Sequence, residues 1–450
     1  MEPHNEVYSW ARRLLRWALQ LDRPVPEYTE AERAAFVERN FRRNALANLM
    51  DGALFWLGLS FVSAGTIVPL FISKLTTSTV PIGLAAMIAQ AGWYLPQLFT
   101  ANWTERLPRR KPVVVNFGLL AERTPFWLLV AAAAVAGEWA GLSLGLFLVA
   151  YAWRILGGGA VGPAWQDLIA RVIPVERRGR FWGLTSSLGV GCGVAGSLLS
   201  AWLLRTLPFP KSFVCLFTLA ASFVAVGWFF LVQVREPAQR VTAPRQSQRQ
   251  FLGNVPALVR QDGPFRRFLT ARVLLALGAM GSGFVTVAAL RRWEVSDATV
   301  GLYTAMLLVG QAAGNLLFGL LGDRHGHKFA LEWAALAYGA AFAVAWLAPA
   351  PAWYYAVFVL LGIAGGSTMV SGIMVVLEFS EPDRRPTYVG IANTVVGVAS
   401  LAGPLLATGL ASVDVSWVFA PSVALSLAAW VAMRWWVAEP RRAATPDPAA

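Results

Sequence analysis

The chain has 450 residues, of which 56% are hydrophobic and only 14% charged, and its formal net charge is +13. Soluble domains carry about 45–50% apolar and about 25% charged residues, so this composition excludes a disordered chain, a collagen-like fibre and most soluble enzymes of this length. The surroundings of such a chain are mostly lipid.

Residues 1–47 are long, charged and lack a cleavable apolar stretch, so they do not read as a signal peptide. They read as a cytoplasmic, basic, amphipathic segment against the inner leaflet, with Thr29-x-x-Glu32 as a capping box opening a helix towards the first apolar run. A membrane helix needs about 20 mostly apolar residues. Twelve such runs are predicted, at 48–72, 80–101, 112–136, 140–163, 182–205, 212–233, 268–290, 298–321, 329–348, 353–377, 388–411 and 415–437. All are predicted to be helices, because backbone polar groups in lipid must be satisfied within the segment and outer-membrane strands would alternate. The polar stretch 234–267 reads as a cytoplasmic linker between two six-helix bundles, 48–233 and 268–437, and the Ala/Pro-rich tail 438–450 as disordered. With the N-terminus cytoplasmic, inside segments hold 30 Lys+Arg and outside loops 5. That bias places both termini in the cytoplasm of a multi-pass protein of the cell (inner) membrane. The positive charge is thereby explained without a nucleic-acid partner.

The two halves repeat each other. Arg177-Arg178-Gly179-Arg180-Phe181-Trp182-Gly183 aligns with Arg384-Arg385-Pro386-Thr387-Tyr388-Val389-Gly390 at an offset of 207, and the same offset places Gly158-Gly159 on Gly365-Gly366. Parallel repeats joined by a linker are an organisation of secondary transporters, with the site between the repeats near the bilayer midplane.

The loop Gly319-Leu320-Leu321-Gly322-Asp323-Arg324-His325-Gly326-His327-Lys328 resembles the G-x-x-x-D-R-x-G-R-R/K signature of the major facilitator superfamily, with a His at one basic position. The loop between spans two and three keeps Glu105-Arg106 and a basic run but not the glycines. Arg154-x-x-x-Gly158 resembles the R-x-x-x-G motif of the family. Span five, with Gly189, Gly191, Gly193 and Gly196, resembles its exporter-type glycine motif without the Pro. The resemblance implies an all-α fold of twelve membrane helices in two pseudo-symmetric halves. It also implies a secondary active transporter of a small molecule, working by alternating access as a monomer, with proton-coupled efflux as one form of that activity. A lipid flippase and a non-transporting, partner-binding protein on the same fold are the alternatives.

Each motif has a physical reading. Gly319 and Gly322 are expected to let helices approach, and Gly326 to permit positive φ. Asp323 suits a helix N-terminus. Arg324 suits a carboxylate ending span ten, Glu378 or Glu381, and Lys328 completes the basic end of the loop. Glu105, Arg106 and Asp167 form the corresponding candidate gate of the first half, with Asp167 paired to Arg106. Within the spans, Glu122 and Arg154 are mid-membrane charges, which cost about 2.5–3.5 kcal/mol each on insertion scales. Arg154 reads either as a substrate- or proton-linked residue or as the partner of Glu122, and Arg123 as structural. Gln311 and Asn393 are candidate substrate contacts; Trp93, Tyr94, Trp153 and Tyr303 are candidate cavity aromatics. Arg272 and Asp51 are expected to snorkel or pair at the cytoplasmic side. Cys192, Cys215 and the three histidines show no metal-ligand spacing. There is no phosphate loop and no catalytic constellation, so no cofactor and no enzyme activity are expected.

Overall fold

The computed structural model describes residues 13, 16–104, 106–174, 177–239, 259–379 and 385–439. The chain is almost entirely helical. Before the linker lie α1 (Glu30–Ser60), α2 (Ile67–Leu75), α3 (Val80–Thr104), two π-helical turns (Val113–Phe117 and Leu119–Arg123) continued by α4 (Pro125–Ala134), α5 (Ala140–Val172), α6 (Arg178–Thr206) and α7 (Lys211–Leu231). After it come α8 (Gly263–Gly278), α9 (Val285–Trp293), α10 (Asp297–His325), α11 (His327–Leu347), α12 (Trp353–Phe379), α13 (Arg385–Ala411) and α14 (Phe419–Val431). Ten helical stretches among the described residues are long and apolar enough to cross a membrane. The first two expected spans are helical but fall outside that set. Asp51 and the polar first half of α1 dilute one, and Gln90, Gln97 and two prolines dilute α3.

Two expected spans are broken rather than continuous. The first is interrupted between Ser60 and Ile67, and the seventh by the tight turn Ala279–Gly283. The sequences there, Ser63-Ala64-Gly65-Thr66 and Gly278 to Gly283, are small and Gly-rich, and helical propensity is low in both.

The repeat offset reappears as a repeated crossing. A Cβ added at Gly159 of α5 would meet the carbonyl of Gly92 of α3 at 2.5 Å, and one at Gly366 of α12 would collide with the carbonyl of Gln311 of α10. Only glycine lets these backbones touch. The halves meet through α3 against α13 and α6 against α10.

At the linker end, the Thr29 capping box is formed: the Glu32 N–H donates to Thr29 Oγ1 at 3.2 Å, and the Thr29 N–H to the Glu32 carboxylate at 2.8 Å. Residues 18–24 of the stretch preceding it are docked on the first half. Arg109 donates to the carbonyls of Arg23 and Pro24, Asn116 donates to Ala18 O at 2.6 Å, and Leu19 is buried. The first linker residues are also docked. Glu236 accepts the N–H groups of Arg110 and Lys111 at 2.8 Å, at the start of the third span, and pairs with Arg171 at 3.4 Å. Burial pushes its carboxyl above the usual carboxylate range, against the pull of those N–H groups and of Arg171. Glu439 sits in the matching place, with its carboxylate 2.6 Å from where a Cβ on Gly326 would lie, at the N-terminus of α11. The rest of the linker from 240 to 258, and the tail after 439, lie outside the described residues.

Gly366→Val is expected to abolish the folded, monodisperse species on fluorescence-detected size exclusion. Gly409→Val, at a helix position with open space around it, is expected to leave it unchanged.

Candidate functional site

A cavity of about 350 Å³ lies among α1, α3, the π-helical turns of the third span, α5 and α10. Phe55, Trp56, Leu59, Trp93, Ile155 and Leu307 make most of it apolar. Ser60, Ser63, Thr304, Gln311, Glu122 and Arg154 supply the polar groups. Thus three of the four sequence-derived contact candidates, Arg154, Glu122 and Gln311, converge from three different elements. Asn393, on α13, is not among the lining residues. Of the aromatics, Trp93 lines the cavity, Tyr303 is stacked on Phe358 in the core, and Trp153 is exposed.

Neighbouring helical positions point roughly 100° apart, so Glu122 and Arg123 address different surroundings. Arg123 is buried and pairs with Asp51 at 2.9 Å, donates to Val224 O at 2.8 Å and lies over the Phe55 ring. Asp51, read as a snorkelling end residue, is instead this buried partner. Arg154 is 6% exposed, with its guanidinium 5.0 Å from the Phe126 ring centroid and 5.2 Å from that of Tyr151. Its Nε is buried without a hydrogen-bond partner. Glu122 does not pair with it: its carboxylate rests against α5, 2.8 Å from where a Cβ on Gly158 would lie. The glycine at 158 therefore makes room for that carboxylate. Arg272 is also buried, packed against Gly372 rather than reaching for the headgroups.

The cavity stops at Gly65 and Thr304, where the two halves are bonded to each other. Thr286 donates to Gly65 O at 2.7 Å, and the Thr66 and Thr304 hydroxyls are 2.6 Å apart. Beyond them Lys74 pairs with Asp297 at 2.8 Å and Arg291 donates to Thr77 O at 2.5 Å. The two halves also approach closely here. Gly301 lies against the Ala201 backbone, its would-be Cβ 2.6 Å away, and Gly83 lies against Thr408. No sequence motif marked this junction. Its signal, read in hindsight, was small and hydroxylated residues at both helix breaks.

At the opposite end, several ion pairs join elements within one half. Asp167 pairs with Arg110 at 2.6 Å and with Arg171 at 3.1 Å. Its partner is therefore not Arg106, which sits in the turn after α3, whereas Arg110 stands at the entrance to the third span beside α5. Lys328 pairs with Glu332 at 3.3 Å, and Glu332 with Arg434 at 3.6 Å. Gly326 has φ +94°, as the turn before α11 requires. Gly322 leaves space for the His327 ring, but Gly319 has open space where a Cβ would be and allows no close crossing. Arg324 is exposed and forms no ion pair with Glu378 among the described residues. Glu105, Glu381 and the side chain of Asp323 lie outside what is described.

The geometry is that of a helical protein with a charged cavity between two packed halves. Residues 285–450 match the family model of the Major Facilitator Superfamily. The loop signature at 319–328 lies within the matched residues, and the fold is that of solved membrane transporters at low identity. A bacterial homologue of the human lysosomal transporter Spinster, in an inward-facing and unoccupied conformation, aligns with TM-score 0.63 over 94% of this chain and 100% of its own, at 16% identity. A D-xylose-proton symporter gives 0.63 over 89% and 99%, at 13% identity. The human organic anion transporter MFSD10 gives 0.56 over 87% and 99%, at 16% identity. In sequence, the chain is 28% identical over 125 residues to the steroid transmembrane transporter SLC22A24 of Microcebus murinus, a match spanning 28% of this chain and 21% of that protein.

Arg123→Met is expected to lower stability by about 3 kcal/mol, because it strands the buried Asp51 carboxylate. Asp51→Leu/Arg123→Met is expected to recover most of that loss. Melting curves of the purified variants check both.

Proposed function

We propose that the protein is a secondary active transporter that moves a small molecule through the cytoplasmic membrane by alternating access. The single observation that carries this reading is the central cavity, in which Arg154 and Glu122 meet Gln311 from the other half. With the basic segments inside, the Lys74–Asp297 junction faces outwards, and the two termini, the linker and the loop at Gly326 face the cytoplasm. The state seen is then closed to the outside. Arg324 stands exposed, as a released cytoplasmic latch would, and its pairing with Glu378 or Glu381, with Asp323 against α6, belongs to the opposite state. The gate of the first half runs through Asp167, Arg110 and Glu236.

Glu122 is the proton carrier of this scheme: a half-buried carboxylate at the cavity, without an ion pair, beside Arg154. The glycines of α6 support outward transport, through their resemblance to an exporter motif. The protein works as a monomer, since each half supplies one wall of the cavity.

The access cycle can be tested without knowing the substrate. In a Cys192→Ala/Cys215→Ala background, Ser63→Cys is expected to react with a membrane-impermeant maleimide only from the cytoplasmic side. Adding Asp297→Asn is expected to raise labelling from the outside several-fold. Equal labelling from both sides in the parent, or no change with Asp297→Asn, removes the gating scheme. Once a transported compound is in hand, Glu122→Gln is expected to abolish the pH dependence of its flux in proteoliposomes.

A further inference from the structure

The chemical class of the cargo follows from the charge balance of the cavity. Four charged side chains lie near one another inside the first half: Asp51, Glu122, Arg123 and Arg154. Asp51 and Arg123 neutralise each other at 2.9 Å. What remains is one carboxylate and one guanidinium, both lining the same cavity and not paired with each other. Arg154 is held over two aromatic rings, which leave its Nε without an acceptor. Glu122 is held against the glycine face of α5 at Gly158, and one turn on, the Trp93 ring lies 3.8 Å from the Cβ position of Gly162. A carboxylate in a cavity also lined by Phe55, Trp56 and Trp93 is a site for an ammonium group, which is attracted by both charge and ring face. A guanidinium whose Nε–H lacks an acceptor is a site for a carboxylate.

In a cavity of low dielectric, an uncompensated charge is costly. A ligand of net charge would leave one of the two protein charges without an opposite partner, and a neutral apolar ligand would leave both. We infer that the cavity takes a small zwitterion, with its carboxylate on Arg154, its ammonium at Glu122, and an aliphatic or aromatic body against Phe55, Trp56 and Leu307. This assignment rests on the transporter reading of the same cavity. At about 350 Å³ the cavity stands at the small end of ligand pockets, which suits a molecule of amino-acid size. The competing way to balance the charges is an organic anion on Arg154 with a proton on Glu122, and matched ligands separate the two.

The test uses the purified full-length protein in lipid nanodiscs and thermal shift at pH 7. The first set is phenylalanine, 3-phenylpropionate and phenethylamine; the second is leucine, 4-methylpentanoate and isoamylamine. In at least one set the zwitterion is expected to bind at least ten-fold more tightly than its acid and its amine. Arg154→Gln is expected to bring zwitterion and amine to equal affinity, and Glu122→Gln to bring zwitterion and acid to equal affinity. The inference is overturned if the acids bind the wild type as well as the zwitterions do, if the amines do, or if no member of either set binds. Should a variant fail to fold, the wild-type series alone decides. Flux of the bound compounds in proteoliposomes keeps the two readings apart. A zwitterion that binds without crossing sinks the transport reading and leaves the ligand class standing. An acid that crosses with a proton does the reverse.

Discussion

A charge inside a helical membrane protein must find an opposite charge, a polar group or a ligand, because the surroundings offer none. In this chain that constraint sorts the buried ionisable residues into two kinds. Asp51 and Arg123 answer each other and tie the third span to α1 and, through Val224, to α7. Arg154 lies over two aromatic rings and Glu122 rests against Gly158, and among the described residues neither forms an ion pair. The first pair is architecture. The second lines the cavity between the halves.

The same low-dielectric surroundings explain how the cavity is enclosed. With no hydrophobic drive between helices in lipid, association depends on close packing and on hydrogen bonds. The glycines of α5 and α12 supply the packing at equivalent positions, Gly159 against α3 and Gly366 against α10. Hydroxyls at the two helix breaks supply the bonds, where Thr286 reaches Gly65 O and Thr66 meets Thr304. Irregular backbone at membrane depth is tolerated only where it is buried in protein or lines a cavity, and the first break does both. The linker-side ends are organised differently. There Glu236 and Glu439 fold back onto the helix starts that follow each half's second loop, so local ties hold each half together.

Much of the fold was legible because its signals are local. Apolar runs, the Thr29–Glu32 cap, the bias of basic residues and the 207-residue offset are all properties of short segments. The interruptions at Ser60–Ile67 and Ala279–Gly283 were not, since small residues in an apolar run read equally well as packing glycines. The site was half legible. Glu122, Arg154 and Gln311 stood out as polar residues in apolar surroundings, but Asn393 stood out just as clearly and is not among the lining residues of the cavity. The partner of Asp167 was misassigned because Arg106 and Arg110 are four residues apart in a turn, and which one enters the helix interface depends on how that turn packs.

Sequence alone determined that the chain is a helical membrane protein with repeated motifs and basic residues gathered on alternate loops, because those properties follow from composition and spacing along one strand of chain. Only the tertiary structure decided which charges cancel, which face a common cavity, and which end of the molecule is bonded shut. Those outcomes depend on the rotation and approach of helices from distant parts of the chain, and in uniformly apolar spans the facing of a residue is set by its neighbours rather than by its own sequence.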